Sequence, residues 1–215
     1  MSPISALSNA EIVFLDFDGV IKESVEVKAR AFVSLFRHMP SSFQERVLKH
    51  HLAHGGVSRY AKIKEYLSWI TASVTEESVN ELASEFSSII ITEVLKSPYV
   101  PGALEFINAF SSQKKLILLT ATPHDEICAI LDSLGITSSF FSVYGYPSSK
   151  SESIRFELER LDVSPMSSVL FGDSSQDLRA ATSCAVPFVL RVTPYNNPLR
   201  ESYDLTCIRD FEELL

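Results

Sequence analysis

Short apolar runs alternate with helical patterns along most of the chain. The runs that predict buried strands cover residues 12–15, 116–119, 141–144, 169–171 and 186–190, with a weaker run at 205–208. Helical spacing of apolar residues lies between them, at Ile127, Ile130, Leu131 and Leu134 and again at Ile154, Leu158 and Leu161. Strands this uniformly apolar, separated by helices, are typical of a parallel sheet covered on both faces. We therefore predict an α/β fold.

Residues 24–97 interrupt this alternation with helical patterns alone. Apolar residues recur there in three groups: Val25, Ala29, Phe32 and Phe36; Ile63, Leu67 and Ile70; and Val79, Leu82, Phe86 and Ile90. The segment ends at SPYVPG (97–102), in which two prolines and a glycine favour a break. We predict a core domain of residues 1–23 and 98–215, with a helical domain, 24–97, inserted after the first strand.

Two aspartates interrupt the first apolar run, which reads IVFLDFDGV at 12–20. An ionised carboxylate is costly to bury unless it is paired or bound to a metal. In open α/β sheets, ligands bind outside the carboxyl ends of the strands. Asp16 and Asp18 therefore point to a ligand site at the end of the first strand.

Polar residues also follow the other predicted strands. Thr120 follows the second, Lys150 comes shortly after the third, and Asp173 and Asp177 follow the fourth. Crowded carboxylates repel one another, and a set of oxygen ligands favours Mg²⁺. One carboxylate of such a cluster can form an aspartyl-phosphate while a second moves protons, and a lysine can neutralise the developing charge.

Composition and charge narrow the possible partners. The 215-residue chain has a formal net charge of −8, which argues against nucleic acid or an anionic membrane. No apolar stretch approaches the ~20 residues that span a membrane, and the N-terminus lacks the features of a signal peptide. The three cysteines are widely separated, and His50, His51 and His54 lack accompanying ligands, so we expect no zinc site. We expect a cytoplasmic protein.

Four motifs in order resemble those of the haloacid dehalogenase superfamily. They are DFDGV at 16–20, LLTATP at 118–123, the isolated Lys150, and FGDSSQDLRAA at 171–181. The helical insertion directly after the first motif resembles the C1 cap of subfamily I, in its phosphatase and β-phosphoglucomutase-like branch. This resemblance implies a Rossmann-like parallel sheet with helices on both faces and an inserted α-helical cap domain.

The resemblance also implies a role for each motif residue. Asp16 would be the nucleophile and Asp18 the general acid and base. Thr120 would bind phosphate, and Lys150 would orient the nucleophile. A dehalogenase proper is not expected, because in that branch the second aspartate of the first motif is typically absent.

A metal ion and a substrate complete the site that the resemblance implies. Mg²⁺ would be held by Asp16, the backbone carbonyl of Asp18, and Asp173, with Asp177 bonding nearby or through water. Gly19 and Ala121, which flank the motif side chains, are predicted to contact the substrate.

The sequence HGGVSRYAKIKEYL at 54–67 resembles the substrate-specificity loop of β-phosphoglucomutase-like enzymes. By that resemblance Arg59 reaches a second anionic or hydroxyl-rich end of the substrate; the alternative is an arginine on the surface. Lys28 stands where those mutases carry a histidine, ten residues after the second aspartate of the first motif. Lys28 either binds anionic substrate in the cleft or is solvated, since it lies one step off the apolar stripe.

The function that these features favour is a Mg²⁺-dependent phosphatase. Its substrate would be a small phosphorylated metabolite, of the sugar phosphate or phosphoglycolate type, hydrolysed through an aspartyl-phosphate. A sugar-phosphate mutase is the alternative, against which Lys28 argues. A non-catalytic binding or regulatory protein with this fold is a more remote one, because every catalytic position is present.

Overall fold

A parallel sheet of six strands organises residues 2–215, the part of the chain that this computed structural model describes. The strands are β1 (Ile12–Leu15), β2 (Lys115–Pro123), β3 (Ser142–Tyr146), β4 (Ser168–Gly172), β5 (Phe188–Arg191) and β6 (Thr206–Ile208). Their order is β3-β2-β1-β4-β5-β6, and every neighbouring pair is parallel. The predicted α/β fold is confirmed.

Ten α-helices accompany the sheet within the same residues. They are α1 (Pro3–Asn9), α2 (Val25–Leu35), α3 (Ser41–Ala53), α4 (Arg59–Ser68), α5 (Glu76–Lys96), α6 (Ala103–Phe110), α7 (His124–Leu134), α8 (Lys150–Leu161), α9 (Ser175–Ser183) and α10 (Asn197–Ser202). Short 3₁₀ turns cover Thr137–Ser139, Pro165–Ser167 and Phe211–Leu214. No helix of residues 2–215 is long and apolar enough to cross a membrane.

Strand β1 lies at the centre of the sheet with all four of its residues buried. Because successive strand side chains point to opposite faces, β1 contributes to two cores. Val13 and Leu15 belong to the larger core, which extends into the helices of segment 24–97. Ile12 and Phe14 pack in the smaller core with residues of α8 and α9. The helices therefore cover both faces of the sheet, as predicted.

Segment 24–97, which we call the cap, contains α2 to α5. An aromatic cluster holds these helices together: the Phe32 ring centroid lies 4.3 Å from that of Phe86 and 5.8 Å from that of Tyr66. Helices α2, α4 and α5 lie where the three apolar patterns were predicted, whereas α3 lies in a part of the segment that none of these patterns covers. Their assignment to a separate domain stays a prediction.

The apolar pattern locates the elements better than it locates their ends. Strand β2 continues through Pro123, so Thr120 lies inside the strand rather than after it. Strand β5 begins at Phe188, two residues later than predicted, because Val186 belongs to the turn that ends α9. Helix α4 ends at Ser68, so the prediction that Ile70 shares its apolar face was wrong. Ile70 is 44% exposed.

The end of α9 carries strain that a substitution can relieve. Ala185 has φ +55°, and the N–H of Val186 donates to the carbonyl of Ala181, which closes the last helical turn. A residue with a side chain costs roughly 1–2 kcal/mol in this left-handed region. Glycine avoids that cost, but it loses more backbone entropy on folding, which offsets part of the gain. We expect Ala185→Gly to raise the free energy of unfolding by about 0.5–1 kcal/mol, measured by urea denaturation.

The matched control reverses the change at another helix end. Gly135 follows α7 with φ +70°, and a Cβ there would meet no atom within 4 Å. Gly135→Ala should therefore lower the free energy of unfolding through backbone conformation alone. A loss of stability in Ala185→Gly would contradict the assignment of strain.

Candidate active site

Asp16 follows β1 directly and is almost fully buried. Its backbone N–H donates to the carbonyl of Phe171 (3.0 Å). Its carboxylate oxygen Oδ1 accepts a hydrogen bond from the N–H of Phe17 (2.8 Å) and lies 2.8 Å from Nζ of Lys150. Both contacts use Oδ1, so Oδ2 is the oxygen left for a ligand. Burial, which Lys150 only partly offsets, raises the pKa of Asp16 to about 7.

Two further carboxylates and one ammonium lie beside Asp16. One oxygen from each of Asp16, Asp173 and Asp177 lies within 4.8 Å of the others. Nζ of Lys150 also lies 2.5 Å from Oδ1 of Asp177. Burial, together with repulsion from Asp16, raises the pKa of Asp173 well above its usual range. Burial by itself lowers the pKa of Lys150. The ion pairs with Asp16 and Asp177 together outweigh burial and raise this pKa above its usual range.

The fourth motif fixes Asp177 at the start of α9. Oδ2 of Asp177 accepts hydrogen bonds from the N–H (3.0 Å) and the hydroxyl (2.6 Å) of Ser174, in a reciprocal capping arrangement. One oxygen of Asp177 therefore holds the helix end while the other meets Lys150. The oxygen-only donor set of the cluster fits the ligand preference of Mg²⁺.

Gly19 allows the chain to turn beside these carboxylates. It has φ +76°, and a Cβ at this position would overlap Oδ2 of Asp173. A larger residue would therefore be strained and would also displace Asp173. The structure gives Gly19 the role of making room for a carboxylate.

Asp18 meets a lysine of the cap. Nζ of Lys28, on α2, lies 2.5 Å from Oδ2 of Asp18 and 2.8 Å from Oγ1 of Thr122. The hydroxyl of Ser24 donates to Oδ1 of Asp18 (2.6 Å). Burial disfavours the charge of Asp18, but Lys28 and Ser24 outweigh it and hold the pKa below its usual range. Lys28 is not solvated, since its side chain is 12% exposed.

The second motif lies inside strand β2. Oγ1 of Thr120 accepts a hydrogen bond from the N–H of Thr122 (3.2 Å), and both residues are buried. Thr120 and Ala121 line a cleft that also contains Lys150. Ala121 and Thr122 line the neighbouring cavity that contains the two aspartates of the first motif.

Arg59 lines the cavity that contains Asp16 and Asp18, and its contact with substrate stays a prediction. Its guanidinium donates two hydrogen bonds to Glu126 of α7 (2.5 and 2.8 Å) and one to the hydroxyl of Ser87 (2.6 Å). Its side chain is 4% exposed, so it is not a surface residue. The charge of Arg59 is therefore already paired within the protein.

The cap is closed over the sheet edge. The rings of Tyr60 and Tyr146 stack with their centroids 4.9 Å apart. Gly55 and Gly56 pack against Ser174, where a Cβ on Gly56 would lie 2.7 Å from the hydroxyl oxygen. Between cap and sheet lies a cavity of about 360 Å³, bounded by the aspartates on one side and by cap residues on the other.

A match to a known protein family shows which family the chain belongs to. A profile of the family described as haloacid dehalogenase-like hydrolase matches residues 12–190. The chain belongs to this family. No curated protein sequence matches the chain.

Solved structures share the fold of this haloacid dehalogenase-like hydrolase along nearly the whole chain. A predicted phosphoglycolate phosphatase from Haemophilus somnus 129PT is 18% identical with a TM-score of 0.76, covering 96% of both chains. CbbY from Rhodobacter sphaeroides in complex with phosphate is 17% identical with a TM-score of 0.75, covering 95% of this chain and 96% of its own. β-Phosphoglucomutase from Clostridium difficile is 19% identical with a TM-score of 0.73, covering 96% and 93%.

Sequence reasoning missed residues that brace the site of this haloacid dehalogenase-like hydrolase. The side-chain amide of Asn196 donates to the carbonyls of Asp173 (2.9 Å) and Arg191 (2.8 Å). The guanidinium of Arg191 pairs with Glu23 and donates to the carbonyl of Gly19 (3.3 Å). Arg191 is the last residue of β5 and Asn196 follows that strand. The polar residues after the fifth apolar run were the signal that would have found them.

Proposed function

We propose that this hydrolase is a Mg²⁺-dependent phosphatase that acts on a small phosphorylated metabolite in the cytoplasm. The observation that carries the proposal is the environment of Asp16. Its carboxylate is held through Oδ1 by Lys150 and a backbone N–H, while Oδ2 stays available beside the cavity between cap and sheet. A held carboxylate with one available oxygen suits nucleophilic attack on a phosphoryl group.

In the first step, a carboxylate oxygen of Asp16 attacks phosphorus and the bond to the leaving oxygen breaks. Asp18 gives its proton to that oxygen, which departs as an alcohol. In the second step, a water molecule attacks the phosphorus of the aspartyl-phosphate. Asp18 takes a proton from this water, phosphate departs, and the carboxylate of Asp16 is restored.

The contact between Lys28 and Asp18 bears on both steps. Lys28 holds Asp18 ionised in the closed arrangement, which is the form that accepts a proton from water. To act as an acid, Asp18 must first be protonated, so Lys28 must release the carboxylate when substrate enters. The position of Lys28 on the cap couples this release to movement of the cap.

The carboxylates of Asp16 and Asp173 and the backbone carbonyl of Asp18 would hold Mg²⁺, with Asp177 nearby. When bound, the ion would offset the negative charge that builds up on the phosphoryl oxygens. Lys150 supplies further positive charge at Asp16, and Thr120 with the backbone at Gly19 and Ala121 would bind the phosphoryl oxygens.

The size of the cavity favours a small substrate. Its volume of about 360 Å³ lies at the lower end of the range for small-molecule sites. Among proteins with this fold, one is a predicted phosphoglycolate phosphatase and another, CbbY, was solved with xylulose-1,5-bisphosphate. We propose a phosphorylated metabolite of this size, of the sugar phosphate or phosphoglycolate type.

Phosphate release from a panel of phosphorylated metabolites tests the proposed function. We expect inorganic phosphate to be released from a subset of small esters in the presence of Mg²⁺. Product analysis with a hexose 1-phosphate separates the alternatives, because an isomerised ester without free phosphate would identify a mutase. Binding of esters without either product would favour a non-catalytic protein.

A further inference from the structure

Helix α4 presents an unusual buried face. Residues 59, 62, 63 and 66 have the spacing of one helix face, and all four are buried. Two of them are cations, Arg59 and Lys62, although lysine and arginine are rarely buried unless they are paired. Lys62 is 3% exposed, and both cations line the cavity that also contains Asp16 and Asp18.

The two cations of this face differ in how they are satisfied. Arg59 has a carboxylate partner in Glu126, whereas none of the ion pairs of residues 2–215 includes Lys62. Nζ of Lys62 lies 2.9 Å from Nδ1 of His51 and 3.4 Å from the carbonyl of His51. An ammonium has no acceptor, so Nδ1 must accept and His51 must be neutral.

His51 therefore leaves Lys62 without a negative partner. Its two contacts use two of the three ammonium protons. Burial above all, and then the positive charge of Lys28, lowers the pKa of Lys62 to about 7, against the opposing effect of Asp18 and Asp173. An anion placed beside Lys62 would remove this penalty, because it would pair the buried charge.

The surroundings of Lys62 define what such an anion can be. The rings of Phe32 and Phe86 line the same cavity, and Nζ of Lys62 lies 5.6 Å from the centroid of the Phe32 ring. The cavity volume of about 360 Å³ limits the substrate to a small molecule, so the second group must be compact. A carboxylate or a phosphate is compact, anionic and able to accept hydrogen bonds from an ammonium.

We propose that Lys62 binds a second anionic group, a carboxylate or a phosphate, on the leaving-group part of the substrate, and that Arg59 does not. The inference rests on the proposed function only in placing the phosphoryl group of the substrate at Asp16. It makes Lys62 a specificity-determining residue that selects esters with a negative charge at both ends.

Binding without turnover tests this assignment separately from phosphatase activity. In the Asp16→Asn protein with Mg²⁺, calorimetry would compare phosphoglycolate with 2-hydroxyethyl phosphate, its neutral-ended counterpart. A hexose 1,6-bisphosphate would be compared with a hexose 1-phosphate in the same way. We expect the doubly anionic member of at least one pair to bind about 10- to 100-fold more tightly. The pair that shows the difference identifies the second group as a carboxylate or a phosphate.

Substitution of Lys62 should remove that preference. Lys62→Met in the same background should bring the two members of the pair within about threefold, because the charged hydrogen bond is worth the difference. Lys64→Met is the matched control, since Lys64 lies on α4 but is exposed. It removes the same charge from the protein and should keep the preference. If Lys62→Met does not fold, the same comparison of binding is made with Lys62→Gln.

The stability of the variants separates recognition from a structural role. Lys62→Met should unfold at the same or a higher urea concentration than the parent, because it removes a buried charge without a counterion. Loss of stability in Lys62→Met with an unchanged binding preference would overturn the proposal. Equal binding of both members of each pair by the Asp16→Asn protein, or no binding of either, would also overturn it. Absence of phosphate release by the unsubstituted protein, with the preference intact, would count against the phosphatase and leave this assignment standing.

Discussion

Asp16→Asn is expected to reduce phosphate release by about 10⁴-fold or more while the protein stays folded. An amide has the shape of the carboxylate but is not a nucleophile towards phosphorus. The hydrogen bond that Oδ1 accepts from the N–H of Phe17 survives the change, and Lys150 keeps its ion pair with Asp177. Loss of activity would therefore come from the missing nucleophile, and steady-state phosphate release on the best ester of the panel measures it.

The pH dependence of stability provides an independent test of the same variant. The pKa of Asp16 is raised from 3.8 to about 7 in the folded protein. A raised acid binds its proton more tightly when folded, so ionisation destabilises the folded state as the pH rises through this interval. Without Mg²⁺, the unsubstituted protein should lose stability relative to Asp16→Asn between about pH 4 and pH 7. Urea denaturation at several pH values measures the difference.

The control for Asp16→Asn is Asp125→Asn. Asp125 is exposed in the first turn of α7, outside the cluster of carboxylates. This variant should keep the activity of the unsubstituted protein. Phosphate release by Asp16→Asn within about tenfold of that activity would rule out Asp16 as the nucleophile, since loss of a covalent nucleophile costs far more.

The main elements of the site could be predicted from the sequence because parallel strands bring their carboxyl ends to one edge. Asp16 follows β1 and Asp173 follows β4, and the register pairs Leu15 with Phe171 on these neighbouring strands. Local sequence therefore fixes where these side chains lie once the sheet forms. The same reasoning applies to Lys150. It is the first residue of α8, which follows the edge strand β3.

The partners of the cap residues could not be predicted in the same way. Glu126 pairs with Arg59 across 67 positions of the sequence, and this contact depends on how the cap packs against α7. Lys28 similarly meets Thr122 across 94 positions. No periodicity encodes such docking, because it follows from the shapes of two surfaces. The apolar spacing did place Lys28 next to the buried stripe of α2. Ser24, the residue before that helix, donates to Asp18, so the start of α2 lies beside this carboxylate.

Helix α4 shows why an apolar stripe can mislead. The sequence pattern selected Ile63, Leu67 and Ile70, but the buried face includes Arg59 and Lys62 together with Tyr66. A pattern built on hydrophobicity cannot assign a charged residue to the interior. The mismatch itself indicates function, since natural sequences break local rules most often at their sites.

Withdrawal of Mg²⁺ is the second change for which we expect a very large loss of phosphate release. Asp16, Asp173 and Asp177 crowd their oxygens within 4.8 Å, and Lys150 supplies only one positive charge to the cluster. Chelation of Mg²⁺ should stop turnover, and adding Mg²⁺ back should restore it. Because the ion binds only the folded protein, a concentration 100 times its Kd should add about 2.7 kcal/mol to the free energy of unfolding.

Substitution at Asp173 connects this effect to the cluster. Asp173→Asn keeps the size of the side chain and the backbone carbonyl that Asn196 holds (2.9 Å), but removes one charged ligand. It should lose most of the stabilisation by Mg²⁺ in thermal unfolding, whereas Asp125→Asn should keep it. A metal-independent rate in the unsubstituted protein would exclude the proposed metal. Equal stabilisation of Asp173→Asn and the unsubstituted protein would place the ion elsewhere, because crowded carboxylates that lose a charge bind a divalent cation more weakly.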